Sequence, residues 1–324
     1  MRIINILIFL LFSALTYAQK YTYVVAQDGS GDYKTIQEAI DATKSYPDEE
    51  MSIFVKNGTY NEKVCIPNWN PRLKIVGESR ENTVITYGDY FNKINRGRNS
   101  TFMTETFLVR ANDVSLQNLT IVNAAGPVGQ AIALGIESDR VSVINVAIKG
   151  NQDALYVAGE NCRQYFKDCY VEGTTDFIFG EATAFFENCN IHSKSNSYVT
   201  AASTPKDVAF GLVFVNCKLT ADVGIKSVSL GRPWRNYAKT VFISCELGKQ
   251  IIPEGWTAWH KTDGKNTAFY AEYKNVGEGA KTNSRLSWSH QLTKKESAAY
   301  TKENVLKARA SAINSDWASN VGSK

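Results

Sequence analysis

Two carboxylates in this chain stand at matching positions and could share one site. Asp153 lies in the stretch GNQDALY and Asp176 in GTTDFIFG. Each follows by seven residues a small apolar residue, Val146 and Cys169, that holds the same place in a repeated segment. An acid beside the apolar run Phe177-Ile178-Phe179 is costly to desolvate unless it is paired, hydrogen-bonded or reactive. Taken alone, Asp176 reads most simply as an exposed turn residue at a strand end. Equal phase in consecutive units changes that reading. It sets the two carboxylates on one face, about 5 Å apart if the units stack as β-rungs. Carboxylates that close repel, so one holds its proton to a higher pH than an isolated acid. One residue type then supplies both an acid and a base.

Other groups fall in the same segments. Gln152 precedes Asp153, and Gln130 in GQAIAL sits one unit earlier. Their amide N–H groups can hold a developing oxyanion. Arg232 in LGRPW follows Asp176 by 56 residues, two units of about 28, so a loop could return it to the same face. A guanidinium there would keep Asp176 ionised and oriented. Tyr156, Phe177, Phe179, Trp234, Trp256 and Trp259 offer aromatic faces on which sugar rings stack. Only one of Phe177 and Phe179 is expected to line a cleft, the other belonging to the core. Each residue has a plainer reading, Gln152 as a polar ladder residue and Arg232 as a surface ion pair. Their joint occurrence in phase favours a site. No GxSxG elbow, HExxH or Walker loop is present, so a Ser-His-Asp mechanism has no support.

The elements that must position these groups are written in the repeat. LQNLTI (116–121), VINVAI (143–148), FKDCYV (166–171), FENCNI (186–191), FVNCKL (214–219) and FISCEL (242–247) share one pattern. A large apolar residue comes first, Asn or Asp usually third, Leu, Val or Cys fourth, and an aliphatic sixth. The fourth positions are spaced by 27, 23, 20, 28 and 28 residues. Short alternating strands at this period, with no helix between them, exclude a βαβ sheet and fit a parallel β-helix. A hairpin-built sandwich would need more than the one Asn-Gly pair at Asn57-Gly58. The pattern YKTIQEAIDAT (33–43) predicts a helix capping one end, and the Ala, Lys and Glu-rich stretch from Lys294 to Ile313 a helical tail along the body. The repeat cysteines become an interior ladder of small hydrophobes. Rungs about 4.8 Å apart leave a Cys169–Cys189 disulfide open. Cysteines without CxxC spacing, and His192, His260 and His290 scattered along the chain, do not make a metal site.

Composition narrows the class. Hydrophobic content of 44% and charged content of 21% are those of a globular protein. A net charge of +4 mildly favours an acidic partner, and the chain has no basic run or RNA-binding motif to suggest nucleic acid. Residues 1–18 read as a secretory signal, with Arg2, an apolar core from Ile4 to Leu15 and a small-residue site at Thr16-Tyr17-Ala18. That core is too short to span a membrane. Residues 19–324 are then expected to form a single exported domain, periplasmic or extracellular, with no membrane attachment after signal removal.

The motifs together resemble the pectin methylesterases, carbohydrate esterases on a right-handed single-stranded parallel β-helix. DGSGDYKTIQEAI and GTYNEKV resemble the family's N-terminal elements. NAAGPVGQAIAL, GNQDALYV, GTTDFIFG and LGRPW resemble its four active-site blocks in order, and GWTAWH and LSWSHQL extend the likeness toward the C-terminus. The resemblance implies that Asp176 is the nucleophile on a galacturonate methyl ester. It implies that Asp153 is the general acid and then base, that Gln130 and Gln152 hold the oxyanion, and that Arg232 positions Asp176. Substrate contacts are implied at Thr101, Gln130, Tyr156, Phe179, Arg232, Trp234 and Trp256. The family needs no metal or organic cofactor, its partner is methylated pectin, and a monomer suffices. The sequence departs from the common pattern in small ways: Ala154 before Leu155, Thr175 before Asp176, and GIES after QAIAL where an Arg-containing run is usual in plant members. No inhibitory segment like that of many plant members is expected before the domain. Rival readings are a β-helical glycosidase, which the carboxylate spacing would also suit, a lyase, or a carbohydrate-binding protein without chemistry.

Overall fold

In the three-dimensional structure the six-residue repeat becomes one corner of a coil, used again and again. First-position side chains Leu116, Val143, Phe166, Phe186, Phe214 and Phe242 point inward and are fully buried. Third-position residues Asn118, Asn145, Asp168, Asn188, Asn216 and Ser244 have φ between +53° and +55°. This left-handed conformation costs Asn and Asp less than most L-residues, which explains the preference at that place. One residue thereby turns the chain from one strand into the next. The fourth and sixth positions then face the interior again, from Leu119 and Ile121 through Cys245 and Leu247.

This computed structural model describes residues 21–260, 263–307 and 317–322; the expected signal segment lies outside them. Successive coils lay their strands into three sheets of eleven, seven and eight strands, with parallel neighbours. The architecture is a parallel β-helix. Inside it Phe166, Phe186, Phe214 and Phe242 stack with ring centroids 4.5, 4.5 and 4.4 Å apart. Beside them runs the ladder of Cys169, Cys189, Cys217 and Cys245. All six cysteines are free thiols, so no Cys169–Cys189 bridge forms. The Cys169 Sγ instead donates to the Val143 carbonyl at 3.2 Å.

The N-terminal cap is the helix Ile36–Asp41, inside the predicted 33–43. Its first backbone N–H groups are all satisfied. Thr35 accepts from Glu38 in a capping box, and Glu62 accepts from Ile36 at 2.9 Å and Gln37 at 3.0 Å. Glu62 belongs to GTYNEKV, so that motif ties the cap helix to the first coil. The expected helical tail is present as short turns, and its residues 308–313 lie outside the described ones. It forms the single turns Lys294–Ser297 and Lys302–Val305, started by Thr293 and Thr301 as caps, and later Trp317–Asn320. Cap residues restart the helix at short intervals and compete with its continuation. The tail still packs on the body, where Val305, Leu306, Ala318 and Val321 cover Tyr165, Phe185 and Val213 on the outer face of the largest sheet.

Candidate active site

The seven-stranded sheet presents a row of outward residues: Leu108, Gly135, Tyr156, Phe179 and Ala201 are successive partners across it. The two carboxylates sit at the margin of this row. Asp153 and Asp176 each precede by two residues the paired Leu155 and Ile178. Their N–H groups donate to the next coil, Asp153 to the Thr175 carbonyl at 3.1 Å and Asp176 to the Tyr198 carbonyl at 2.9 Å. Equal phase in sequence is therefore equal place in adjacent coils. Both have positive φ, +63° and +50°. Such strain persists only where surrounding structure over-determines it, and it turns these side chains toward the pocket margin rather than into the ladder. Gln130 and Gln152 form a parallel bridge one position earlier in their coils.

Arg232 comes from two coils further on, after Gly231, which pairs with Thr200, itself the partner of Ile178. A Cβ at Gly231 would lie 2.0 Å from the Thr200 Oγ1, so glycine is required for the close approach. The guanidinium then reaches Asp176 bidentately, Nε to Oδ1 at 3.0 Å and Nη2 to Oδ2 at 2.7 Å. Tyr198 and Trp259 sandwich it, their ring centres 3.9 and 4.0 Å from its central carbon. A planar cation held this way has little freedom, and it fixes the carboxylate with it.

The electrostatics separate the pair. Burial pushes the Asp153 carboxyl well above the usual carboxylate range, the neighbouring Asp176 charge adds to the rise, and Arg232 opposes it. Burial also raises Asp176, against the hydrogen bonds and charge of Arg232. The arginine thus restrains the rise at Asp176 rather than reversing it. Of the two, Asp153 is the one raised well above the ordinary range, and Asp176 is the one whose charge a guanidinium faces.

These residues surround a pocket of about 280 Å³. Thr101, Gln130, Gln152, Asp153, Asp176, Phe179, Arg232 and Trp234, all singled out from sequence, line it. Thr101 is brought there by the 3-10 segment Gly97–Met103. At its C-terminal cap, Thr104, the Asn123 amide lies 3.3 Å from the carbonyl, and it lies 2.9 and 3.0 Å from the carbonyls of Asp89 and Ile132. Phe177 is buried in the main core, so Phe179 is the member of its strand that meets the cleft. Tyr156 stacks on Phe179 at 4.8 Å and meets Phe102 in a tilted contact at 5.0 Å, as a backing to the pocket wall.

Trp256 requires a correction. It is only 1% exposed and packs between Phe242 and Tyr270 at the end of the aromatic stack, so it has no face to offer a sugar. Trp259, three residues on, lines the pocket instead. Sequence reasoning also missed Arg98 and Phe102 in the pocket wall and Tyr198 under Arg232. Tyr198 was within reach of the repeat, because it stands one coil beyond Asp176. The coil from Cys189 is two residues longer at this point than the coil from Cys169, so counting seven from the cysteine stops at Asn196, two residues short of the register.

A family model described as Pectinesterase matches residues 22–309. The chain belongs to the pectinesterase family. It is 38% identical over 278 residues to a pectinesterase of Petunia integrifolia, covering 82% of this chain and 73% of that protein. A probable pectinesterase/pectinesterase inhibitor 13 of Arabidopsis thaliana is 35% identical over 322 residues, 94% of this chain and 50% of that protein. The chain spans about half the length of the first such relatives it matches. Among solved structures, the pectin methylesterase from carrot superposes with a TM-score of 0.83 at 31% identity, covering 89% of this chain and 93% of that one. PemA from Erwinia chrysanthemi gives a TM-score of 0.78 at 29% identity, covering 92% and 100%. A further pectin methylesterase with the same score and identity was solved in complex with a hexasaccharide.

Proposed function

We propose that this pectinesterase-family protein hydrolyses methyl esters of galacturonate units in pectin, releasing methanol and leaving a free carboxylate on the polymer. The observation that carries the reading is the arrangement of a proton-holding Asp153 beside an Asp176 clamped by Arg232. Asp176 attacks the ester carbonyl carbon through a carboxylate oxygen. The negative oxygen of the tetrahedral intermediate meets the amide N–H groups of Gln130 and Gln152, whose backbones are paired on adjacent coils. Asp153 gives its proton to the departing methoxy oxygen, so methanol leaves and an acyl anhydride with Asp176 remains. Asp153, now ionised, takes a proton from water as the water attacks the galacturonate carbonyl of that anhydride. Collapse returns Asp176 as a carboxylate and Asp153 as an acid. Arg232 stays paired with Asp176 whenever it is charged. Phe179, Trp234 and Trp259 give the aromatic wall against which a sugar ring packs. The secretory signal at residues 1–18 is part of the same reading, because the polymer lies outside the cell.

The test is methanol release from highly methylated pectin by the purified chain, with polymer length followed in the same samples. Wild-type protein should release methanol without shortening the polymer. Asp176→Asn should lose at least a hundredfold in kcat, the scale on which a nucleophile is removed. An Asp176→Asn protein with near wild-type turnover would refute the nucleophile. New reducing ends or unsaturated ends would identify a glycosidase or a lyase instead.

A further inference from the structure

A second cavity opens on the same sheet, at the margin away from the two aspartates. Asp153 and Asp176 stand before strands of the seven-stranded sheet begin, whereas this cavity lies where its first strands end. Ile66, Val109 and Ile136 are partners across those strands. Arg110 and Glu137 follow directly, and Trp69 comes three residues after Ile66. With Asn68, and with Asp41 of the cap helix, they line a space of about 680 Å³. None of these residues lines the pocket of the aspartates.

Trp69 is the reason to read a ligand here. It is 49% exposed, and among the described residues no ring or cation covers its indole. The loop that carries it is fixed on both sides. The Tyr46 N–H donates to the Trp69 carbonyl at 2.7 Å, and the Asn70 N–H to the Pro67 carbonyl at 3.0 Å. Asn70 is buried, and its amide donates to the Thr43 hydroxyl at 2.6 Å. An apolar face held still in water loses little freedom when a flat ligand covers it. The groups around the indole select that ligand. Arg110 and Glu137 pair at 3.0 Å, which leaves Asp41 as the surplus charge of the cavity wall. A carboxylate ligand would be repelled there, and a wholly apolar one would leave Asp41 and Asn68 desolvated without partners. A neutral sugar ring avoids both penalties, with a C–H face for the indole and hydroxyls for the polar groups. We propose that this cavity binds a neutral pyranose ring, stacked on Trp69 with its hydroxyls toward Asp41, Asn68 and Glu137. It thereby holds a polysaccharide at a second place on the molecule and takes no part in bond making. Two sources offer such a ring, a methyl-esterified galacturonate unit and a neutral hexose. The first source rests on the esterase reading of the site above; the second does not.

The experiment is isothermal titration with three oligomers of equal length: methyl-esterified galacturonate, the same oligomer saponified, and neutral galactose. Asp176→Asn protein is the parent, so that esters persist, and low ionic strength keeps the charge of Asp41 least screened. Trp69→Ala should weaken binding of a neutral oligomer roughly fivefold, the worth of one ring-packing contact. Trp69→Phe should recover part of the loss. The saponified oligomer should show no binding that depends on Trp69. Asp41→Lys tests the same site without touching the indole, and it should let the saponified oligomer bind there. Val276→Ala, which trims an exposed apolar residue of a late coil, should leave all binding in place. Dependence on Trp69 confined to the esterified oligomer would assign the site to pectin's own units, and dependence confined to galactose would assign it to a neutral chain. Unaltered binding of both neutral oligomers in Trp69→Ala, equal Trp69-dependent binding of the saponified oligomer, or an equal loss in Val276→Ala would each overturn the proposal. Methanol release is scored separately on the wild type. A chain that binds galactose through Trp69 but releases no methanol keeps this inference and loses the esterase reading.

Discussion

At Asp153 the protein holds a carboxyl that would rather be in water, and folding stability should register this. Its pKa is raised in the folded state by burial and by Asp176. The folded chain therefore keeps a proton that the unfolded chain has already released, so stability is full below the unfolded pKa and declines as pH rises through the folded one. Asp153→Asn removes the titration, and Asn accepts the φ of +63° at this position as readily as Asp does. The variant should melt higher than wild type near pH 7, by on the order of 1 kcal/mol, with little difference near pH 4. Thermal scans at both pH values decide; a difference independent of pH would show that the charge is not the cause. This pair was legible in the sequence because both aspartates keep the same distance from a repeat position. Arg232 was legible only as a residue two coils away, since its clamp depends on the close approach at Gly231. Arg98 was not legible at all. It stands in a 3-10 turn outside the repeat, where no periodicity tells which way a side chain faces.

Among the elements, the cap helix shows most directly how short structure is stabilised by tertiary partners. Ile36–Asp41 has too few residues to persist alone. Thr35 from within and Glu62 from the first coil satisfy its leading N–H groups. Glu62→Ala should lower stability by about 1–2 kcal/mol, read as a shift in urea midpoint, while turnover per folded molecule stays at the wild-type level. No change in midpoint would mean that water replaces the carboxylate without loss. The sequence shows this helix because apolar spacing and a Thr-x-x-Glu box agree. At the other end the helix-forming composition from Lys294 shows a helical tail but not its division into short turns, a new one starting at the cap residue Thr301. The sequence misleads at Trp256 and Trp259. Among the described residues between Leu247 and Phe269 no strand carries an alternation that could say which ring is core.

For the whole molecule, contact is almost entirely between one coil and the next, as in other solenoids. Stability is then a sum of coil interfaces rather than one property of a single core. The interfaces joined by stacked Phe166, Phe186, Phe214 and Phe242 bury a continuous row of aromatic rings and should open least. Amide hydrogen exchange should be slowest in Arg163–Lys167, Thr183–Glu187, Leu212–Val215 and Lys239–Ile243, and faster in Tyr23–Val25 and the C-terminal turns. Uniform protection from end to end would show instead that the molecule opens as one unit. The net charge of +4 comes without a basic tract in the sequence.

The one-residue corner between the largest sheet and its neighbour has a consequence for how such a protein can change. From Asn118 to Ser244 that corner is a single left-handed residue in coil after coil, with no room for insertion. Coil length nevertheless varies from 20 to 28 residues. All of that variation is displaced to the remaining corners, and the candidate cleft is built at one of them. The molecule thus has a spine closed to editing and a fringe open to it. New loops that lengthen or re-aim the cleft can be added at the fringe while the spine keeps Asp153, Asp176 and Arg232 in register.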